Sequence, residues 1–78
     1  MRKREVRLIV AFHTTHDAMA FEDYCHANQV EGRLIPLPRE ISAGCGLAWS
    51  VPPGDEAGLR GRLADAGIMP QHVQELEI

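Results

Sequence analysis

The four residues Leu8-Ile9-Val10-Ala11 are apolar on both parities. Side chains of a strand alternate between the two faces of a sheet, so a run of this kind is expected to be covered on both sides. The run extends from Glu5 to Phe12, with Val6, Leu8, Val10 and Phe12 on one parity. Its β-branched and aliphatic content suits a central strand with little exposure. A chain of 78 residues has little material with which to cover it. One small domain, residues 1–78, is therefore expected, and a homodimer is open to a core this small. Aromatic residues make up only 5% of the chain, so aliphatic side chains and alanine must fill the interior.

The remaining elements follow in order. His13-Thr14-Thr15-His16-Asp17 starts a helix, with Thr14 or Thr15 as cap and Asp17 as the acid of the first turn. Ala18, Phe21, Cys25 and Asn28 fall at helical spacing, with Tyr24 beside them, and the helix ends at Asn28 or Gln29. Arg33 to Pro38 reads as a second strand. Pro36 and Pro38 cannot donate to a ladder, which places this strand at a sheet edge or ends it early. A connection over 39–43 leads to a third strand, Gly44 to Val51, with Leu47, Trp49 and Val51 on one face. Pro52-Pro53-Gly54-Asp55-Glu56 stops that strand and opens a second helix. Leu59, Leu63 and Ala66 form its apolar stripe, and Gly67 terminates it with Ile68 beyond. His72 to Ile78 is the last strand.

The order β-α-β-β-α-β fits a ferredoxin-like α/β (α+β) sandwich, one antiparallel sheet with two helices on one face. In that architecture three connections meet at one end of the sheet: strand 1 to helix 1, strand 2 to strand 3, and helix 2 to strand 4. Cys45, Arg39, His13, His16 and His72 are thereby expected near the start of the first helix. Trp49 is expected either in the core or on the open sheet face beside Ala48 or Ile9, where it would mark a dimer or partner surface.

Charge narrows the function classes. The net charge of -3 does not supply the clustered basic face that nucleic acid requires. Arg2-Lys3-Arg4 is the one basic run, and it reads as a solvated end. No apolar run approaches the ~20 residues of a membrane span. No signal-peptide pattern is present, which points to a cytoplasmic location and to free thiols rather than a structural bridge.

The candidate chemistry centres on Cys45, set between Gly44 and Gly46. Glycine neighbours give a thiol little steric cover. Thiolate is the reactive form, and a nearby helix N-terminus, histidine or arginine favours it. Backbone N–H groups of Thr14, Thr15 and His16 would then hold an anion at the sulfur. Arg39 reads either as a second anion holder or as a loop charge paired with Glu40 or solvent. Ser42 either donates to the same anion or bonds the loop backbone. His13 and His16 read as polar helix-start residues; with Cys45 they would alternatively make a three-ligand transition-metal site. Cys25, on the apolar stripe, reads as a buried small hydrophobe.

Phe12-His13-Thr14-Thr15-His16-Asp17-Ala18 and the block Gly32 to Ala48, with Pro38-Arg39-Glu40-Ile41-Ser42 followed by Cys45-Gly46, resemble a small bacterial family, the selenium/sulfur carrier protein-like family. The resemblance runs from Val6 to the last strand. It implies a carrier cysteine at Cys45 with Arg39 and Ser42 as its polar neighbours, and no inherited role for Cys25. The expected function is a carrier that holds a persulfide or perselenide on Cys45. It would exchange it with donor and acceptor proteins, acting as an accessory protein rather than a turnover enzyme, and no cofactor is implied. The alternatives are the metal-binding module and a non-catalytic interaction or regulatory domain whose loop binds a partner or small anion.

Overall fold

The computed structural model describes residues 5–41 and 46–78. Among them the order is β1 (Val6–Ala11), α1 (Thr15–Ala27), β2 (Arg33–Pro36), β3 (Leu47–Val51), α2 (Glu56–Asp65) and β4 (His72–Glu77). The strands form one antiparallel sheet in the order β2-β3-β1-β4. This is the ferredoxin-like α+β arrangement that the element order implied, with the doubly apolar strand β1 inside the sheet. Arg2-Lys3-Arg4, Ser42 and Cys45 lie outside the described residues.

One row across the sheet shows how the first face is built. Val73, Val10, Trp49 and Leu34 lie side by side on β4, β1, β3 and β2. Leu8, Val10, Phe12, Trp49 and Val51 pack here against Ala18, Phe21 and Cys25 of α1 and against Leu59 and Leu63 of α2. Phe21 stands at the middle, with ring centroids 5.9 Å from Phe12 and 5.8 Å from Trp49, the latter edge-on at 79°. Such pairings add to the burial of the rings themselves. Across the helices, the Tyr24 hydroxyl donates to Asp65 Oδ2 at 2.6 Å. That carboxylate also raises the phenol above its ordinary pKa.

Trp49 thus belongs to the core, the first of its two expected places, and not to an open sheet face. The other face is not open at its upper half either. Ile9, Ala11 and Ala48 have no exposed surface, and Ile41, from the β2–β3 connection, packs with them at 5% exposure. Ile35, Leu37, Leu76 and Ile78 surround this second cluster. A buried isoleucine contributes roughly 1.5–3 kcal/mol. The connection is therefore held to the sheet by its own side chain. The surface expected for a partner at Ile9 and Ala48 is occupied by the chain itself.

Local signals explain the element ends. Thr14 caps α1, its Oγ1 accepting from the Asp17 N–H at 3.1 Å. Asp55 caps α2, its Oδ1 accepting from the Gly58 N–H at 3.0 Å. Both helices end alike. Ile68 N–H donates to the Leu63 carbonyl and Gly67 N–H to Ala64; Val30 donates to Cys25 and Gln29 to His26. This is the paired helix-end motif that needs a left-handed residue after the cap. Gly67 takes that position in α2 with φ 73°, and Gln29 takes it in α1 with φ 55° at a cost of about 1 kcal/mol.

The edge hairpin is shorter than its sequence pattern. β2 stops at Pro36 rather than Pro38, and β3 runs over Leu47–Val51, with Gly46 before it outside the strand; the expected start at Gly44 lies outside the described residues. Leu37, between the two prolines, still donates to the Gly46 carbonyl at 2.9 Å. Pro38 accepts from Ile41 N–H at 3.0 Å, closing a turn that brings Ile41 back to the sheet.

Gly32 sits at φ 142° directly under the Trp49 indole. A Cβ there would stand 2.5 Å from Trp49 Nε1 and 2.8 Å from Val51 Cγ1. Gly32→Ala is expected to cost about 2–3 kcal/mol through this clash and the backbone strain. Thermal unfolding should show a fall in Tm of about 10 °C or more; an unchanged Tm would contradict the packing.

Candidate functional site

The end of the sheet at which the three connections meet is defined by one row. Ala11 pairs with Ala48 on one side and His72 on the other, and Ile35 follows beyond Ala48. Phe12, fully buried, closes the core just before the exposed His13. The convergence expected from topology is present. The residues at this end nevertheless lie on different sides of the sheet.

Thr14, Thr15 and His16 begin α1, over the helical face. The Thr14 hydroxyl is engaged as a cap, and its carbonyl accepts from Ala18 N–H at 3.2 Å. The Asp17 carboxylate stands in the same first turn, where it already complements the positive end of the helix. An anion at the Thr15 and His16 amides would share that turn with a negative charge.

Arg39 lies in the turn that Ile41 closes, and that turn leans on the opposite face. Arg39 is exposed and makes no hydrogen bond or ion pair among the described residues. His72 is also on the opposite face, its Nε2 paired with Gln74 Oε1 at 2.6 Å. No group of three or more metal-ligating side chains occurs among the described residues. His13 and His16 therefore meet no further ligand there. The third member of the metal alternative, Cys45, falls outside the described residues, as does Ser42.

The two residues that flank Ser42-Ala43-Gly44-Cys45 are both fixed. Ile41 is buried in the second cluster, and the Gly46 carbonyl is bonded to Leu37 N–H. Gly46, next in the chain to Cys45, is exposed, and a Cβ there would meet nothing within 4 Å.

Cys25 is fully buried on the inner side of α1 and is a free thiol. Burial pushes it up to about 11, with a smaller opposing effect of Arg62. It is the small core hydrophobe that its helical position indicated.

A second polar constellation escaped the sequence pattern. Ser50, 1% exposed, lies on the second face of β3. Arg7 Nε donates to Ser50 Oγ at 3.0 Å and Nη2 to the Ser50 carbonyl at 3.4 Å. Arg33 pairs with Ser50 across β2 and β3. The signal was available as parity: Arg7 shares its face with Ile9 and Ala11, where an arginine interrupts an apolar strand.

Fold and loop together describe a ferredoxin-like α+β domain whose edge hairpin carries a cysteine segment anchored at both ends. The chain belongs to the family described as "Putative Se/S carrier protein-like", whose pattern matches residues 7–75. No curated protein and no solved structure matches it. No helix among the described residues is long and apolar enough to cross a membrane.

In the native protein Cys25 should resist iodoacetamide at pH 8 and react once the chain is unfolded in denaturant. Its folded pKa lies above the ordinary value, so the neutral thiol is the form that folding favours. The associated stability is complete below about pH 9 and is lost as pH rises through about 11. Rapid native alkylation of Cys25, read by peptide mass spectrometry, would contradict its burial.

Proposed function

We propose that this protein is a carrier of reactive sulfur or selenium, with Cys45 as the covalent attachment point. The observation that carries the reading is the exit of the cysteine segment. Gly46 is exposed, offers open space beside its backbone, and directly follows Cys45. Family membership supports the carrier reading.

The chemistry is thiol exchange onto a sulfane atom. The Cys45 thiolate attacks the outer sulfur of a donor persulfide, R–S–SH. A bond forms between Cys45 Sγ and that sulfur as the donor S–S bond breaks. Its electron pair leaves on R–S⁻, and Cys45 holds the persulfide. A donor perselenide, R–S–SeH, reacts in the same way at selenium. Passage to an acceptor thiolate repeats the exchange, so no net oxidant or reductant is consumed. Arg39, exposed and without a partner among the described residues, is the cation available to approach the terminal anion. Ser42, in the same segment as Cys45, is the second proposed holding group; the Thr14 to His16 turn, over the helical face and already complemented by Asp17, would serve only a terminal atom that reaches past the end of the sheet. The partners are donor and acceptor proteins of the cytoplasm, and the chain acts by carriage rather than turnover.

Incubation with a persulfide donor should add one sulfur atom to the native chain, located at Cys45 by peptide mass spectrometry. Arg39→Gln is expected to shorten the lifetime of the adduct several-fold without altering the fold. No adduct, or an equal adduct on Cys45→Ala, ends this reading. Stoichiometric zinc binding lost in both Cys45→Ser and His16→Ala would favour the metal module instead.

A further inference from the structure

The second face of the sheet holds a groove of about 1100 Å³ below the Ile41 cluster. Arg7, Arg33 and Ser50 lie in it, Ile35 supplies apolar surface, and Pro38 and Glu40 of the cysteine connection form its upper wall. Glu5 and Glu31 also border it.

Glu77 lines the groove as well, and neither arginine of the groove is paired with a carboxylate among the described residues. Arg7 is half-buried, and its partners among the described residues are the hydroxyl and carbonyl of Ser50, both neutral. Arg33 sits on the strand directly across from Ser50 and forms no ion pair among the described residues. A guanidinium carries five N–H donors in a fixed fork. Two bonds to Ser50 therefore orient the Arg7 fork and leave donors over. A partly desolvated guanidinium without a carboxylate is a costly arrangement that a bound carboxylate would relieve. Glu31 and Glu40, in the same groove, disfavour a bare anion and supply acceptors for a cation. The combination selects a ligand that carries both charges.

We propose that this groove binds a small zwitterion of the amino-acid or short-peptide class. The ligand carboxylate lies on Arg7 and Arg33 beside Ser50, and its ammonium lies toward Glu40 of the upper wall. The groove is larger than a single amino acid requires and admits a short peptide. Arg7 is set in place by Ser50, while Arg33 is exposed and contributes to the ligand alone. This binding is separate from the transfer chemistry at Cys45, although the connection that leads to Cys45 walls the groove.

The test is a titration of the full ¹⁵N-labelled chain with triglycine, followed by amide chemical shifts. Shifts are expected at Arg7, Arg33 and Ser50, with half-saturation at about 1 mM or below. N-acetyl-triglycine, which lacks the ammonium, and triglycine amide, which lacks the carboxylate, should each bind at least about tenfold more weakly. Arg33→Gln should weaken triglycine about tenfold while leaving the rest of the amide spectrum in place. Cys45→Ala should bind as the unmodified chain does, whether or not Cys45 accepts sulfur from a donor. The proposal is overturned by an absence of shifts at the three residues. It is equally overturned by equal affinity for N-acetyl-triglycine or inorganic phosphate, by no effect of Arg33→Gln, or by loss of binding in Cys45→Ala.

Discussion

The structure depends on covering β1 from both sides. Leu8 and Val10 face the helices, while Ile9 and Ala11 face the other way, and all four are buried. Two helices can cover only one face of a four-stranded sheet. The second cover comes from the β2–β3 connection, which turns at Pro38 and sets Ile41 against Ile9, Ala11 and Ala48. In a domain of this size the burial of one more aliphatic side chain is a sizeable share of net stability. The connection is consequently a part of the core and also the segment that leads to the cysteine.

That double duty bears on function. A free loop could sample many positions. Here the chain is pinned at Ile41 by packing and at Gly46 by its bond to Leu37. The residues on either side of the cysteine segment are thus held, at the end of the sheet marked by the Ala48, Ala11 and His72 row. The same connection forms one wall of the arginine-lined groove. The second face of the sheet therefore has an apolar upper half, sealed by Ile41, and a charged lower half built around Ser50.

Much of the fold was legible from residue type and spacing. The central position of β1 followed from apolar residues on both parities, the edge position of β2 from its prolines, and the start of α1 from Thr14 and Asp17. The end of α2 followed from Gly67 and Ile68. Two features were not legible for identifiable reasons. Ile41 lies in a non-periodic stretch after two prolines, so no strand or helix period assigns it to a face. Trp49 and Leu47 share a parity that either face would satisfy, and only the pairing of β3 with β1 decides between them. In the candidate site, the convergence of three connections was readable from topology. The separation of Arg39 from the first turn of α1 was not, because it depends on which way the connection leans. Arg7 and Ser50 were passed over because each looks like a polar interruption until the register places them together.

The central claim is that Ile41 seats the cysteine-bearing connection on the second face of the sheet. Nuclear Overhauser contacts between assigned methyl groups test it most directly. The account predicts cross-peaks from the Ile41 methyls to Ile9 and Ala48, alongside those joining Leu8 and Val10 to the helices. Helix-side cross-peaks without any from Ile41 to Ile9, Ala11 or Ala48 would contradict it.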